Sequence, residues 1–373
     1  MINEERLVKL FCDLCLIDAP SLKEMDSVKF VKTYLLNMGL EVTEDDAGAV
    51  IGGNANNLIA WLRGTIPTAP KIFLSAHFDT VEPTAGLVIH EENGVFSSTS
   101  DTILGADDKG GMAPVIEAVQ ALLESGEPHG DVCLLFSVAE EIGLKGAEAL
   151  KIQDLGLDFG FVLDTGPPVG TFVTKTATHD KLDITFVGKP AHAGKDPEKG
   201  INAIQVMASA VENMKLGRIG PETTANIGVV SGGTGTNVVC AEVKLKAEAR
   251  STSVAELDAQ IDHMIQCCEA AASKWGAQVR CHHVRHYDSY EIPADARVVT
   301  LAVTTSRELG FEPTLRTTLG GSDANVYNAK GVPSIVVATG MEQIHTDDEH
   351  ISRRELIETT RLVYQLILNA AKG

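Results

Sequence analysis

The sequence is short of positive charge, aromatic side chains and long apolar runs. Lys and Arg total 31 against 51 Asp and Glu, a formal net charge of −20. A surface this acidic repels phosphate backbones and anionic headgroups, so nucleic acid and membranes are poor partners. The charge is spread along the chain rather than gathered in a tail, as in a solvated surface. No run reaches the about 18 consecutive apolar residues needed to cross a bilayer. The start, Met1 to Arg6, lacks the basic and apolar segments of a secretory signal. Cysteine is sparse and odd in number, seven in 373 residues. That pattern predicts reduced thiols in the cytosol rather than a disulfide framework. Cys12 and Cys15 form a C-x-x-C, but they lie in an apolar-periodic stretch from Glu4 to Ile17, which reads as two packed helix residues. No G-x-x-x-x-G-K-[ST] occurs and no G-x-G-x-x-G links a strand to a helix, which excludes a nucleotide-dependent enzyme.

What is present is length and a 44% hydrophobic content, enough for two domains with sizeable cores. Ser21-Leu22-Lys23-Glu24 reads as a capping box opening a helix that runs to Met38. Lys71–Ala76, Val132–Val138 and Phe159–Leu163 are short apolar runs, read as buried strands, and Gly110–Leu123 reads as a helix between two of them. This is the α/β pattern of a mostly parallel sheet flanked by helices. After about Lys175 the pattern becomes strand, helix, two strands, helix, strand: Lys181–Val187, Asn202–Met214, Ala225–Val230, Asn237–Arg250, Ala255–Lys274 and Ala277–Arg285. That describes an α+β module with one antiparallel sheet. From about Pro293 the α/β pattern returns. The expected division is a catalytic domain over 1–176 and 289–373, interrupted by an inserted domain over 177–288.

Five positions stand just beyond these strands or in their loops. His77-Phe78-Asp79 follows the first, and residues i and i+2 of an extended segment point the same way, so Asp79 can support the His77 ring. Alone it also reads as ordinary loop polarity. Asp107 and Asp108 sit in Gly105-Ala106-Asp107-Asp108-Lys109-Gly110-Gly111, where either could cap a helix or bridge two cations. Glu140-Glu141 follows the next strand, as a solvated pair or as a metal ligand beside a proton carrier. Asp164 reads equally as a turn initiator before Thr165-Gly166-Pro167. His345 lies in a polar loop after Ser334–Ala338. The force is collective, because ligands of open α/β sheets bind outside the strands' carboxyl ends. Two imidazoles and three carboxylates suit two divalent ions, most simply Zn2+, with Co2+ or Mn2+ also fitting.

At these motifs the chain resembles the dizinc exopeptidase family of peptidase T, bacterial carboxypeptidase G and the aminoacylases, nearest to its peptidase T-like branch. The stretches are Ser75–Pro83, Gly105–Gly111 and Glu140–Ala147, completed by Asp164-Thr165-Gly166 and His345. The resemblance implies one ion held by His77, Asp107 and Asp164 and the other by Asp107, Glu141 and His345. It makes Glu140 the general base and Asp79 the group orienting His77. An aspartate at 164 leans toward the peptidases over the deacylases. In the inserted lid and dimerisation domain it implies substrate contacts from His192, Asn237 and Arg250, the last suited to a carboxylate by its fork of donors. Gly232–Gly235 reads also as a hairpin turn and Arg250 as a surface strand residue. By the same resemblance Gly320-Gly321-Ser322-Asp323 matches a backbone-lined turn near the site, and it reads also as a helix start. Past His345 the run Thr346-Asp347-Asp348-Glu349-His350 is denser in acids than the common pattern, and His350 competes with His345. His282, His283 and His286 read as surface residues of the lid's last strand.

The expected function is hydrolysis of the amide bond of small peptides, tripeptide aminopeptidase-like, by a dimetal-activated water. The alternative is an N-acyl amino acid deacylase or carboxypeptidase on the same scaffold. A homodimer through the lid is the assembly the resemblance suggests.

Overall fold

The structure, a computed structural model, describes residues 2–372. Two compact units divide it. The first holds the chain up to Thr174, then Glu291–Thr317 and everything from Ser322 onward; the second holds Lys175–Tyr290 and Thr318–Gly321. The short stretch Thr318–Gly321 was not expected in the inserted module.

The first unit begins with α1 (Glu4–Cys15), α2 (Met25–Asn37), β1 (Glu41–Glu44), α3 (Ala47–Ile51), β2 (Leu58–Leu62) and β3 (Ile72–His77). It continues with β4 (Ile89–Glu92), β5 (Val95–Ser98), α4 (Ala106–Ser125), β6 (Val132–Ser137), α5 (Lys145–Ala149), β7 (Phe159–Thr165) and β8 (Thr171–Lys175). The second unit supplies β9 (Thr178–Val187), α6 (Ala203–Val211), β10 (Gly217–Gly220), β11 (Thr223–Gly232), β12 (Glu242–Ser251), α7 (Val254–Trp275) and β13 (Gln278–Tyr287). The chain returns with α8 (Arg297–Glu308), β14 (Thr314–Thr317), α9 (Asp323–Ala329), β15 (Ser334–Ala338), β16 (His350–Ser352) and α10 (Arg353–Ala370).

Eight strands form one sheet in the order β1-β2-β6-β3-β7-β15-β8-β14. Its centre, β6-β3-β7-β15, is parallel, while β1, β2 and β8 pair antiparallel with their neighbours. Every residue of β3, β6 and β15 is buried, because helices cover both faces of a parallel sheet. α4 packs on β3 between α1 and α10, and α9 packs on β15 beside α5. α1 turns Leu7, Phe11 and Leu14 into this core at helical spacing. A three-stranded sheet, β16-β5-β4, lies alongside.

Ser21–Glu24 is not the capping box its spacing suggested. α2 starts at Met25, and Glu24 makes no side-chain cap. Ser21 donates instead to Asp79 at 2.6 Å, and Glu24 accepts the N–H groups of Leu22 and Ala139 at 2.8 and 3.0 Å. Both polar side chains serve the loops beyond the strands, where a buried donor or acceptor left unmatched would cost more than a helix cap returns.

The second unit is a five-stranded antiparallel sheet in the order β10-β11-β12-β9-β13. β9 and β12 alternate, burying Leu182, Ile184, Phe186, Val243, Leu245 and Ala247 against α6 and α7. β12 begins at Glu242 rather than Asn237, so residues 233–241 form a loop longer than the tight turn read at Gly232–Gly235. Among the described residues no helix is long and apolar enough to cross a membrane. All seven cysteines are free thiols.

Candidate metal centre

Parallel strands deliver their last residues to one edge, and the candidate ligands lie there. His77 is the final residue of β3, Asp164 lies at the end of β7, and Glu140 and Glu141 follow β6. His345 comes from the loop after β15, and Asp107 from the first turn of α4. His77 Nε2 is 3.1 Å from Asp107 Oδ1. His345 Nε2 is 3.2 Å from Asp107 Oδ2 and 3.1 Å from Glu141 Oε1. His77, Asp107 and Asp164 bring donor atoms within 4.8 Å of one another, and so do Asp107, Glu141 and His345. Asp107 belongs to both groups and turns one oxygen toward each imidazole. His350 belongs to neither; its Nδ1 meets the Asp348 carbonyl at 2.8 Å.

Buried neighbours hold these groups. Asp79 is fully buried, with Oδ1 3.4 Å from His77 Nδ1, whose closer contact is the Asp79 carbonyl oxygen at 3.0 Å. The same carboxylate accepts the N–H groups of Glu140 and Glu141 at 2.9 and 3.1 Å. One residue therefore fixes both: its carbonyl meets the His77 ring, and its carboxylate holds the backbone of the acidic pair. Buried Lys109 donates to the Phe78 carbonyl at 2.5 Å. Ala139 and His345 stand at φ 53° and 63°, in the left-handed region that costs a side chain energy and recurs at functional sites. Gly111 lets α4 approach β7 closely: a Cβ there would lie 2.1 Å from the Leu163 oxygen.

The electrostatics show a site short of positive charge. Burial, then the Asp107 carboxylate, pushes Asp164 well up; burial, then Asp164, does the same to Asp108. Burial also raises Glu140 well above the usual carboxylate range, with Asp164, Asp323 and Glu141 adding to it and His77 opposing. Burial opposes charge on both Asp107 and His77, yet the imidazoles hold Asp107 below its ordinary value, while Asp107 and Asp79 hold His77 above its own. Asp108 Oδ1 and Asp323 Oδ1 are buried without a hydrogen-bond partner. Crowded buried carboxylates with two imidazole nitrogens are the hard and borderline donors that divalent cations take, so the residues fit a metal pair.

In the second unit, His192 and Asn237 are neighbours: His192 bridges to Val238, and the Ala193 N–H donates to the Asn237 carbonyl at 3.0 Å. Both are exposed. Arg250 lies toward the far end of β12, where Nε and Nη2 donate to Glu248 at 3.1 and 3.2 Å and Nη1 donates to the Leu319 carbonyl at 3.2 Å. The sequence reading grouped the three; the structure groups two. His282 and His283 are exposed on β13, with His283 Nε2 2.8 Å from Asp180. Missed by that reading were Ser21 on Asp79 and Glu349 on the Asp107 turn. Asp323, read in a turn near the site, accepts from Ser137, a contact that reading did not foresee. The acid-dense run after His345 was the one signal that pointed at Glu349.

Comparison with known proteins follows the same lines. Residues 73–369 match peptidase family M20/M25/M40. The uncharacterised protein YqjE of Bacillus subtilis (strain 168) is 40% identical over 372 residues, all of both chains. Peptidase T of Streptococcus pyogenes serotype M2 (strain MGAS10270) is 25% identical over 280 residues, 74% of this chain and 68% of that one. Among solved structures, a tripeptidase from Staphylococcus aureus subsp. aureus Mu50 superposes with TM-score 0.95 at 36% identity over all of both chains. The aminopeptidase PepT from Bacillus cereus ATCC 10987 gives 0.90 at 39% identity over 99% of each chain.

Proposed function

The chain belongs to peptidase family M20/M25/M40, and on that premise we propose that it is a metal-dependent exopeptidase removing the N-terminal residue of small peptides, tripeptides above all. The observation that carries this reading is the pair of donor groups, His77–Asp107–Asp164 and Asp107–Glu141–His345, sharing one carboxylate at the strands' carboxyl ends. We assign these five residues as the ligands and zinc as the metal, which their mixed nitrogen and oxygen donors favour. When bound, the pair supplies Lewis acidity at the scissile carbonyl and lowers the pKa of the attacking water.

The chain's own residues do the rest. Glu140 is mostly buried beside the assigned ligand Glu141, with its backbone held by Asp79, a place that suits a group taking a proton from the water and returning it to the leaving amine. Asp79 keeps the His77 ring and the Glu140 backbone in fixed relation. His192, Asn237 and Arg250 are assigned to the polar groups of the peptide. The cytosol is the proposed compartment, on the reduced thiols, and a homodimer through the second unit the proposed assembly.

The second reading, a deacylase or carboxypeptidase on the same scaffold, differs in substrate only. The test is chelation, then reconstitution with Zn2+, Co2+ or Mn2+, and assay against tripeptides, dipeptides and acetylated amino acids. Chelation should abolish activity, and tripeptides should be cleaved best. Glu140→Gln should keep its metal and lose about 10²–10⁴-fold in kcat. Preference for acetylated amino acids would replace the aminopeptidase reading, and full activity in Glu140→Gln would remove the base.

A further inference from the structure

We propose that Glu349 is a positioning residue that sets the orientation of Asp107, an assignment that rests on the metal-centre reading above. Glu349 ends the acid-dense run after His345, and its situation differs from that of its neighbours. Asp347 and Asp348 are exposed to solvent, whereas Glu349 is fully buried. Its Oε2 accepts the Gly105 N–H at 2.6 Å, and its Oε1 accepts the Asp107 N–H at 2.9 Å. The two bonds straddle Ala106 and fix the backbone of the residue whose oxygens face His77 and His345.

This support is needed where it occurs. The first N–H groups of a helix have no acceptor within the helix. α4 begins at Ala106 and departs from helical geometry at once: Asp107 has ψ 105° and Asp108 has φ −118° and ψ 36°. Gly105 before it is left-handed, at φ 74°. The helix therefore does not itself hold the Asp107 turn. The Glu349 side chain takes that place from outside.

The other end of Glu349 is tied to the last ligand loop. Its N–H donates to the Thr346 carbonyl at 3.1 Å, one residue past His345, and Ile351 pairs with Phe96 of β5. One side chain thus links the loop bearing His345 to the turn bearing Asp107, and these two ligands sit in one donor group. The geometry asks for a carboxylate. Two oxygens that only accept face two N–H groups that only donate. A glutamine would set an NH2 against one of those N–H groups, leaving a buried donor unmatched.

The test is metal uptake, read apart from turnover. Metal-stripped wild type and Glu349→Gln are titrated with Co2+ by calorimetry, and the visible d–d bands recorded, with far-UV circular dichroism as the fold control. Wild type should take two Co2+. Glu349→Gln should bind about 10–100-fold more weakly, with shifted bands, as when partners of metal ligands are removed. Equal affinities and identical bands in the variant would overturn the Glu349 assignment alone; a wild type that takes no Co2+ would overturn the metal centre itself. If the variant does not fold, amide exchange in the metal-free wild type decides. Protection of the Gly105 and Asp107 N–H groups is expected, and exchange at open-loop rates would overturn the proposal.

Discussion

Glu248 shows what a single side chain settles. It lies between His179, whose Nε2 is 2.9 Å from Oε2, and Arg250, which donates to both of its oxygens. The His179 contact, then Arg250, outweighs burial and brings the carboxyl from 4.5 down to about 2. A folded-state value below the unfolded one stabilises the fold fully above the unfolded value, and that contribution is lost as pH falls through the folded one. The window is therefore pH 4.5 down to about 2. Glu248→Gln should lower the urea midpoint of the second unit, followed by Trp275 in a Trp61→Phe background. The gap from wild type should be full at about pH 6 and reduced at about pH 3. A gap unchanged over that range would remove the ion pair as its cause. The same residues limit what sequence could say: Arg250 read as a fork suited to a substrate carboxylate or as a surface strand residue, and its contacts with Glu248 and the Leu319 carbonyl were not legible. His77, Asp107, Glu141, Asp164 and His345 were legible only together, since each alone has an ordinary role in a loop. Asp79 was legible as a partner of His77 but not as the acceptor for Glu140 and Glu141, since Asp79 and Glu140 are 61 residues apart and meet only because β3 and β6 lie side by side.

At the scale of elements, the long apolar runs were legible because a strand buried on both faces admits little else. The short ones were not. β1, β4 and β16 carry mostly exposed or half-exposed residues, so no period marks them. The Ser21–Glu24 box failed for a different reason: the spacing is right, but tertiary partners outbid the helix end. What positions the site is how closely α4 lies on β7. The glycine at 111 was legible as part of a motif, though not as the reason for this approach. A Cβ there would fall 2.1 Å from the Leu163 oxygen, 2.4 Å from Asp108 Oδ1 and 2.9 Å from Leu163 Cβ. Neither backbone nor buried carboxylate can swing aside, so the helix must lift from the strand that carries Asp164. Gly111→Ala should destabilise the first unit by about 1–3 kcal/mol, in the range of other overpacked cores. Chemical denaturation followed by Trp61 measures this, and Co2+ affinity should fall alongside. Wild-type stability in Gly111→Ala would show that the contact has slack.

At the scale of the whole molecule, the switch from continuous apolar runs to alternating ones marked the inserted module. Thr318–Gly321 escaped notice because a four-residue stretch has no period to read. The second unit also bears on assembly. His192 and Asn237 lie in loops at the Glu242 end of β12, and Arg250 lies eight residues further along that strand. Eight residues of strand span about 26 Å. A fully extended tripeptide spans about 10 Å. If both ends of the strand contact the same peptide, the two contacts come from different copies of the chain. A two-fold pair would then have two shared sites, each taking Asn237 from one copy and Arg250 from the other. Asn237→Ala and Arg250→Ala should each be nearly inactive alone. Mixed under conditions that allow subunit exchange, they should regain about a quarter of wild-type activity, because half the pairs are mixed and each mixed pair holds one intact site of two. Light scattering of the mixture checks that pairs have formed. Dimers without recovered activity would rule out sharing, and a monomer with full activity would rule out the assembly as well.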